Sequence, residues 1–275
     1  MTNRTVAYQG EAGAYSEEGV LTAFPDSEHL PSQTIRKVFE AVEVGRADYG
    51  LVPMDNSQAG SINETYDLFL KHGLHLVEET VVRVSHCLMA LPGSNLDDLA
   101  EVMSHPQAIA QSEEFLTSLD VSVRAEYDTA GAAKRIVDDK LERTGAIASK
   151  RAAEFYGLEI LAEGIQTYPD NYTRFGGLSR DARSLRDATK SSLVFGVGHV
   201  AGSLYRCIGA FAERHLNLTK LESRPRAGRP WEYVFYVDVE APAEEPAMIE
   251  ALSEVSEHAT FTRLLGSYAS GFTPR

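Results

Sequence analysis

Asn171-Tyr172-Thr173-Arg174-Phe175-Gly176-Gly177-Leu178 places a hydroxyl, a permanent cation and an aromatic ring on three consecutive residues. The Thr173 hydroxyl can donate or accept a proton. The Arg174 guanidinium is a planar fork suited to a carboxylate or a phosphate. In a strand, Thr173 and Phe175 face one side and Arg174 the other. In irregular backbone at a cleft, all three converge on one ligand. An ordinary half-buried strand accounts for such a triplet taken alone, so the rest of the chain has to decide.

Three other polar turns compete for attention. Gly10-Glu11-Ala12-Gly13-Ala14-Tyr15-Ser16 follows the strand pattern Thr5–Gln9, with Ser16 as the expected N-cap of a helix through Phe24. A strand, a glycine turn and a helix start form an anion site, and also an ordinary tight turn. Pro53-Met54-Asp55-Asn56-Ser57-Gln58-Ala59-Gly60-Ser61 follows a second apolar strand and precedes a helix. Ser104-His105-Pro106-Gln107 closes a third strand. Open α/β sheets bind ligands where strand ends meet helix starts.

Several other chemistries are disfavoured. Gly196-Val197-Gly198-His199-Val200-Ala201-Gly202, with Glu222 ending the next strand, imitates a dinucleotide fingerprint. The chain beyond it is already filled by a β-α-β-β-α-β order, so no doubly wound sheet fits there. His72 and His75 have no carboxylate or cysteine at ligand spacing. There is no Gly-x-Ser-x-Gly elbow. Cys87 and Cys207 are the only cysteines and lie far apart, which points to a reducing cytoplasm and no disulfide framework.

The 275 residues are 43% hydrophobic and 24% charged, ordinary for a globular protein of one to three domains. No apolar run reaches the roughly 20 residues of a membrane span, and the N-terminus lacks a signal-peptide core. A formal charge of −14 disfavours general nucleic-acid binding. An anionic ligand must then be held by local groups and not by the overall field.

The elements that would position the triplet alternate strand and helix over the first 180 or so residues, the pattern of parallel sheets covered by helices. A β-branched stretch, Leu74–Ala90, suits a crossing between two lobes with a cleft between them. Residues 180–190 read as a charged linker. The tail reads as a split βαβ, or ferredoxin-like, unit. Residue chemistry alone indicates a protein that binds a small carboxylate, leaving an enzyme and a periplasmic-type binding protein both open.

The motifs carry a resemblance. Tyr8-Gln9-Gly10 with Gly13-Ala14-Tyr15-Ser16, Pro53-Met54-Asp55-Asn56-Ser57 with Gly60-Ser61, Ser104-His105-Pro106-Gln107-Ala108 with Gln111, Asp128-Thr129-Ala130-Gly131-Ala132-Ala133, Asn171-Tyr172-Thr173-Arg174-Phe175, and Asn217-Leu218-Thr219-Lys220-Leu221-Glu222-Ser223-Arg224-Pro225 occur in order. Together they resemble the prephenate dehydratase family over nearly the whole chain. The start and the ending Thr260-Phe261-Thr262-Arg263-Leu264-Leu265-Gly266-Ser267-Tyr268 are also similar to the arogenate dehydratase branch.

The resemblance implies an α/β fold: a two-lobed catalytic domain of the periplasmic-binding-protein type with a cleft active site, followed by a ferredoxin-like βαββαβ ACT domain. The catalytic domain would span residues 1–185, with lobes of about 1–80 plus 165–185 and about 81–164, and the regulatory domain 191–275. The implied activity is that of a lyase in L-phenylalanine biosynthesis, removing water and carbon dioxide from prephenate to give phenylpyruvate. Arogenate dehydration and a non-catalytic amino-acid sensor are the alternatives.

Thr173 would assist departure of the ring hydroxyl, Arg174 would meet a substrate carboxylate or brace the site, and Phe175 would shape the wall. Ser16, Asn56, Ser57, Gln111 and Asn171 would contact substrate. Gly202, Ser203, Leu204, Asn217, Leu218, Glu222 and Ser223 would bind L-phenylalanine as allosteric effector. The resemblance implies no metal, no organic cofactor, no nucleic acid and no membrane, and a homodimer or homotetramer. Four departures from the family pattern stand out: Asp55 for the usual Glu, Gly176-Gly177 for bulky apolar residues, Ser112 for a frequent Cys, and Ser203 for a frequent Ala.

Overall fold

The computed structural model describes residues 4–184, 186–226 and 231–271. The chain opens with β1 (Arg4–Gln9), α1 (Tyr15–Ala23), β2 (Ser27–Ser32), α2 (Ile35–Glu43), β3 (Tyr49–Asn56), β4 (Gly60–Ser61), α3 (Asn63–Lys71) and β5 (His75–Arg83). It continues with β6 (Cys87–Ala90), β7 (Glu101–Ser104), α4 (Pro106–Gln111), α5 (Glu113–Thr117), β8 (Ser122–Ala125), α6 (Thr129–Asp138), β9 (Thr144–Ala148), α7 (Lys150–Tyr156) and β10 (Glu159–Glu163), and returns through β11 (Tyr172–Ser179). The tail contains β12 (Lys190–Val197), α8 (Ser203–Ala212), β13 (Leu218–Pro225), β14 (Tyr233–Val239), α9 (Pro246–His258) and β15 (Ala259–Tyr268).

Two α/β sheets form the body. The first has the order β2-β1-β3-β11-β5, with β4 hairpinned onto β3. β1 runs parallel to β2 and β3. The second has the order β10-β6-β9-β7-β8. There β7 is parallel to β8 and β9, whereas β6 is antiparallel to both β9 and β10. The expected all-parallel sheets are therefore mixed. β6 is the strand by which the chain enters the second sheet, and no helical crossover follows it, only a 3-10 turn at Leu96–Asp98; a parallel neighbour needs a crossover of a dozen residues or more.

Local chemistry explains most element ends. Thr34 accepts the Lys37 amide at 3.2 Å, and Asp128 accepts that of Gly131 at 3.2 Å, capping α2 and α6. Gly157 closes α7 at φ 66°. Three expectations fail. Ala14, not Ser16, is the N-cap of α1; Ser16 lies in the first turn and donates its hydroxyl to the Gln9 carbonyl. Residues 108–119, a stretch that by composition suits one continuous helix, are broken at Ser112 between α4 and α5. The strand β2 went unpredicted because Ser-Glu-His-Leu-Pro-Ser has no apolar alternation. It is an edge strand, where Pro31 is tolerated.

Contacts divide the chain into two compact units, Met1–Thr65 with Val81–Phe175, and Tyr66–Thr80 with Gly176–Arg275. The first holds the cores of both α/β lobes; Phe39 and Met89 are among its fully buried side chains. Two glycines permit close approach inside this unit. Gly13 has φ +88°, and a Cβ there would lie 2.7 Å from the Ala152 Cα. At Gly19 a Cβ would lie 2.7 Å from Leu51 Cδ2.

The second unit is built on the antiparallel sheet β13-β14-β12-β15 in βαββαβ order. Leu193, Phe195, Val237 and Val239 pack with Cys207 and Phe211 of α8 and Met248, Ala251 and Val255 of α9. Residues 66–80 join this unit through specific polar contacts. Arg263 donates to the carbonyls of Phe69, His72 and Leu74 at 2.6, 3.0 and 2.9 Å, completing the end of α3. The Tyr236 hydroxyl donates to the Tyr66 carbonyl at 2.6 Å. Buried Lys190 lies 2.9 Å from Glu79 and 3.6 Å from Asp238.

Candidate active site

Within the first unit a cavity of about 390 Å³ opens between the two α/β sheets. Its wall brings together Gln9, Tyr15 and Ser16 from the end of β1 and start of α1, Pro53 and Asn56 from β3, and His86 from the connection between β5 and β6. Gln107 and Gln111 of α4, Asp128 and Thr129 at the start of α6, and Thr173 and Phe175 of β11 complete it. Of the substrate-site residues singled out in the sequence, Ser16, Asn56, Gln111, Thr173 and Phe175 line the cavity.

The polar side chains form a directed chain whose polarity can be deduced. Asn56 Oδ1 accepts the backbone amides of Gln58 and Ala59 at 3.1 and 2.9 Å, which fixes the amide orientation. Its Nδ2 therefore donates, reaching Asn171 Oδ1 at 2.8 Å and Thr173 Oγ1 at 3.1 Å. Asn171 Nδ2 in turn donates to Gln111 Oε1 at 3.0 Å. That oxygen also faces His86 Nε2 at 3.0 Å, so His86 carries its proton on Nε2.

Two donors are left over. The Thr173 oxygen receives from Asn56, and the hydroxyl donates to no acceptor among the described residues. The buried Gln111 Nε2 has no partner either. Buried polar groups are rarely left unpaired, and each exception calls for an explanation. Both belong to residues of the cavity wall. A hydroxyl that receives one hydrogen bond and holds its proton free is suited to donate to a departing oxygen.

The electrostatics of the wall are unusual for a site expected to take carboxylates. Among the described residues, no lysine or arginine lines it, whereas Asp128 and Glu64 do. Burial pushes the Asp128 carboxyl up, against the amides of Glu11, Gly131 and Thr129. Burial lowers both imidazoles, His86 and His105. The first-turn amides of α1 and α2, at Tyr15–Ser16 and Ile35, precede any intrahelical partner and border the same space. Ile35, Ile62, Val84, Ala108 and Phe175 make the rest of the wall apolar.

Arg174 does not meet the cavity. Alternation along β11 turns it to the opposite face from Thr173 and Phe175. There its Nε donates to Asp55 Oδ2 at 2.8 Å, so it braces β11 against β3. Of the two expectations for Arg174, carboxylate partner or brace, this placement fits the brace, with Asp55 as its partner. Asn171 and Ser57 do not line the cavity either. Asn171 is fully buried in the amide chain, and Ser57 bonds Asp170 and Tyr172 backbone. The residues missed in the sequence are His86, Tyr15, His105 and Asp128. Three lay in noted motifs; His86 had no motif around it.

In the second unit, Gly202 caps α8 at φ 82°, and Ser203 and Leu204 begin that helix. Asn217 Nδ2 donates to Glu240 at 2.6 Å. Along β13, Leu218 and Glu222 share the partly covered face, whereas Ser223 is on the exposed one. Glu222 and Ser223 therefore point to opposite sides of one strand. The imitation dinucleotide fingerprint is the β12–α8 turn of an antiparallel sheet.

The fold and cavity define a two-lobed α/β protein with a cleft for a small polar ligand. The family described as prephenate dehydratase matches residues 6–183. The chain is 45% identical, over an alignment of 291 positions that covers 99% of its length and 70% of the relative's, to arogenate dehydratase/prephenate dehydratase 6, chloroplastic, of Arabidopsis thaliana. It is 45% identical to arogenate dehydratase 1 of Petunia hybrida over 98% of this chain and 68% of the relative. A solved prephenate dehydratase from Arthrobacter aurescens in complex with L-Phe superposes with TM-score 0.88 at 29% identity, covering 97% of this chain and 90% of that one. A structure described as GqqA, a novel type of quorum quenching acylase, has TM-score 0.88 at 36% identity, covering 97% and 98%. The chain belongs to the prephenate dehydratase family.

Proposed function

We propose that this dehydratase removes water and carbon dioxide from prephenate to give phenylpyruvate, on the way to L-phenylalanine. The observation that carries the reading is the Asn56–Thr173 hydrogen bond, which leaves the threonine proton free at the cavity wall. Thr173 donates to the leaving ring hydroxyl as negative charge develops on it. Gln111 Nε2 supplies a second donor. Apolar wall residues exclude water from the ring carboxylate, favouring its loss as neutral carbon dioxide. Aromatisation of the ring supplies the driving force.

A second reading, arogenate dehydration to L-phenylalanine, is favoured by Asp128 and Glu64. A side-chain ammonium suits a wall with two carboxylates and no lysine or arginine among its described residues. The Arabidopsis and Petunia relatives carry the arogenate name. An acylase chemistry finds less support, because the Thr173 hydroxyl is paired with the Asn56 amide donor and not with a base.

The test is incubation of purified full-length protein with prephenate and with arogenate separately, followed by product identification. Phenylpyruvate from prephenate supports the first reading, and phenylalanine from arogenate the second. No turnover of either overturns both.

We further infer that residues 1–185 carry catalysis and that 191–275 form an ACT domain sensing L-phenylalanine in a dimer or tetramer, in a reducing cytoplasm-like compartment. The tail motif Asn217–Pro225 and the L-Phe complex of the Arthrobacter relative support this. Inhibition at a distance requires the effector to favour one quaternary state.

A further inference from the structure

A wall without lysine or arginine among its described residues has to offer some other positive charge to a carboxylate substrate, and only His86 and His105 are basic there. His105 is poorly placed to ionise. Its Nδ1 accepts the Gln107 amide at 3.2 Å to cap α4, and protonation would abolish that cap.

His86 is placed in the opposite way. Its Nε2 faces Gln111 Oε1, which the amide chain fixes as an acceptor. Its Nδ1 faces the Tyr15 hydroxyl at 3.0 Å. That hydroxyl lies 2.7 Å from the Ser85 carbonyl, which can only accept, so the phenol proton belongs there. Both ring nitrogens thus look at oxygen lone pairs, the partner set of an imidazolium. In the neutral ring, Nδ1 competes with Ser85 for one phenol proton. What opposes protonation in the empty cavity is burial. An anion entering the cavity reverses that balance, since a buried carboxylate and a buried imidazolium stabilise each other.

We propose that His86 takes up one proton from solvent when a carboxylate substrate binds, and so supplies the positive charge of the cleft. This rests on the carboxylate-substrate reading given above. His86 acts as a positioning residue: both its N–H groups stay on Gln111 and Tyr15, and its charge acts across the cavity. Tyr15 on α1 touches it, and the other titratable groups lining the same cavity are His105 before α4, Asp128 before α6 and Glu64 on α3. None of these has the same pair of acceptors.

The test is calorimetry of phenylpyruvate binding to the full chain near pH 8, in buffers of differing ionisation enthalpy. About one proton taken up per ligand bound is expected. His86→Gln should abolish the uptake, and His105→Asn, which keeps a capping side chain, should retain it. Zero uptake in the wild type overturns the proposal, as does its persistence in His86→Gln or its loss in His105→Asn.

Wild-type protein provides a second measurement should His86→Gln not fold. KM for whichever substrate is turned over should rise about tenfold per pH unit between about pH 7 and 9, and a flat KM overturns the proposal. Turnover without proton linkage sinks this proposal alone. Absence of both turnover and binding sinks it together with the proposed function.

Discussion

The cleft and the tail sheet both bury polar groups, and both leave donors unpaired among the described residues, Arg224 Nε and Thr262 Oγ1 in the tail and Gln111 Nε2 in the cleft. What differs is that the tail's main network is built on paired charges and the cleft's on an amide chain at a cavity wall. In the second unit, Lys190 is held between Glu79 and Asp238, Asp238 also takes the Ser192 hydroxyl at 2.5 Å, and Arg263 completes three carbonyls. In the cleft the buried polar groups include the amides of Asn56 and Asn171, the Thr173 hydroxyl, the His86 imidazole and the Asp128 carboxyl, and the amide chain ends with the Thr173 O–H and Gln111 Nε2 not donating. Paired buried charges hold an architecture. A polar chain with donors left over is poised for a ligand, since each unpaired donor costs free energy until one arrives.

Breaking the tail network should give the largest loss of stability. Lys190→Met leaves two buried carboxylates without their cation and should cost about 3–5 kcal/mol, read from denaturant unfolding. A loss under about 1 kcal/mol would show that water already screens this cluster.

Thr173→Val removes one of the unspent donors. It should lower kcat by about 10²–10³-fold while Tm stays near wild type. A near-normal rate would remove Thr173 from the chemistry.

Arg174→Met sharpens the contrast within one strand. As a brace on Asp55 it should lower stability while KM changes less than about tenfold. A rise of about a hundredfold in KM with unchanged kcat would restore it as a carboxylate clamp.

On the proposed regulatory side, Glu222→Ala with Ser223→Ala should weaken inhibition by phenylalanine several-fold more than basal rate. Unchanged inhibition would move the effector site elsewhere.

The smallest effect is on acid stability. Burial lowers the His86 pKa in the fold from its ordinary 6.5, so the unfolded chain binds the proton first. Its contribution is complete above about 6.5 and falls as pH drops through that value toward the folded pKa. The Tm decline over that window should be shallower in His86→Gln.

Much of the fold was legible because periodicity and capping are local. The strand–helix alternation of the first part and the βαββαβ order of the tail were readable in this way, and the caps Thr34 and Asp128 are local side-chain chemistry of the same kind. The failures were all decided by partners distant in sequence. β2 has no pattern of its own and exists by pairing with β1. β6 reverses the second sheet because no crossover follows it. Ser16 has the chemistry of a cap but lies two residues past the position.

The site divides in the same way. Motif order, through its resemblance to the family, placed Thr173, Phe175, Asn56, Gln111 and Ser16 in one expected site. Tertiary structure decided which of them touch the cavity and which way each hydrogen bond runs. Arg174 was assigned by its charge, but the alternation of β11 and the position of Asp55 turned it away. His86 had no motif; the fold placed it between Gln111 and Tyr15, drawn from segments 25 and 71 residues away. Hydrogen-bond direction is set by the closest fixed donor or acceptor, here the backbone amides of Gln58 and Ala59. That information exists only once the segments have been brought together.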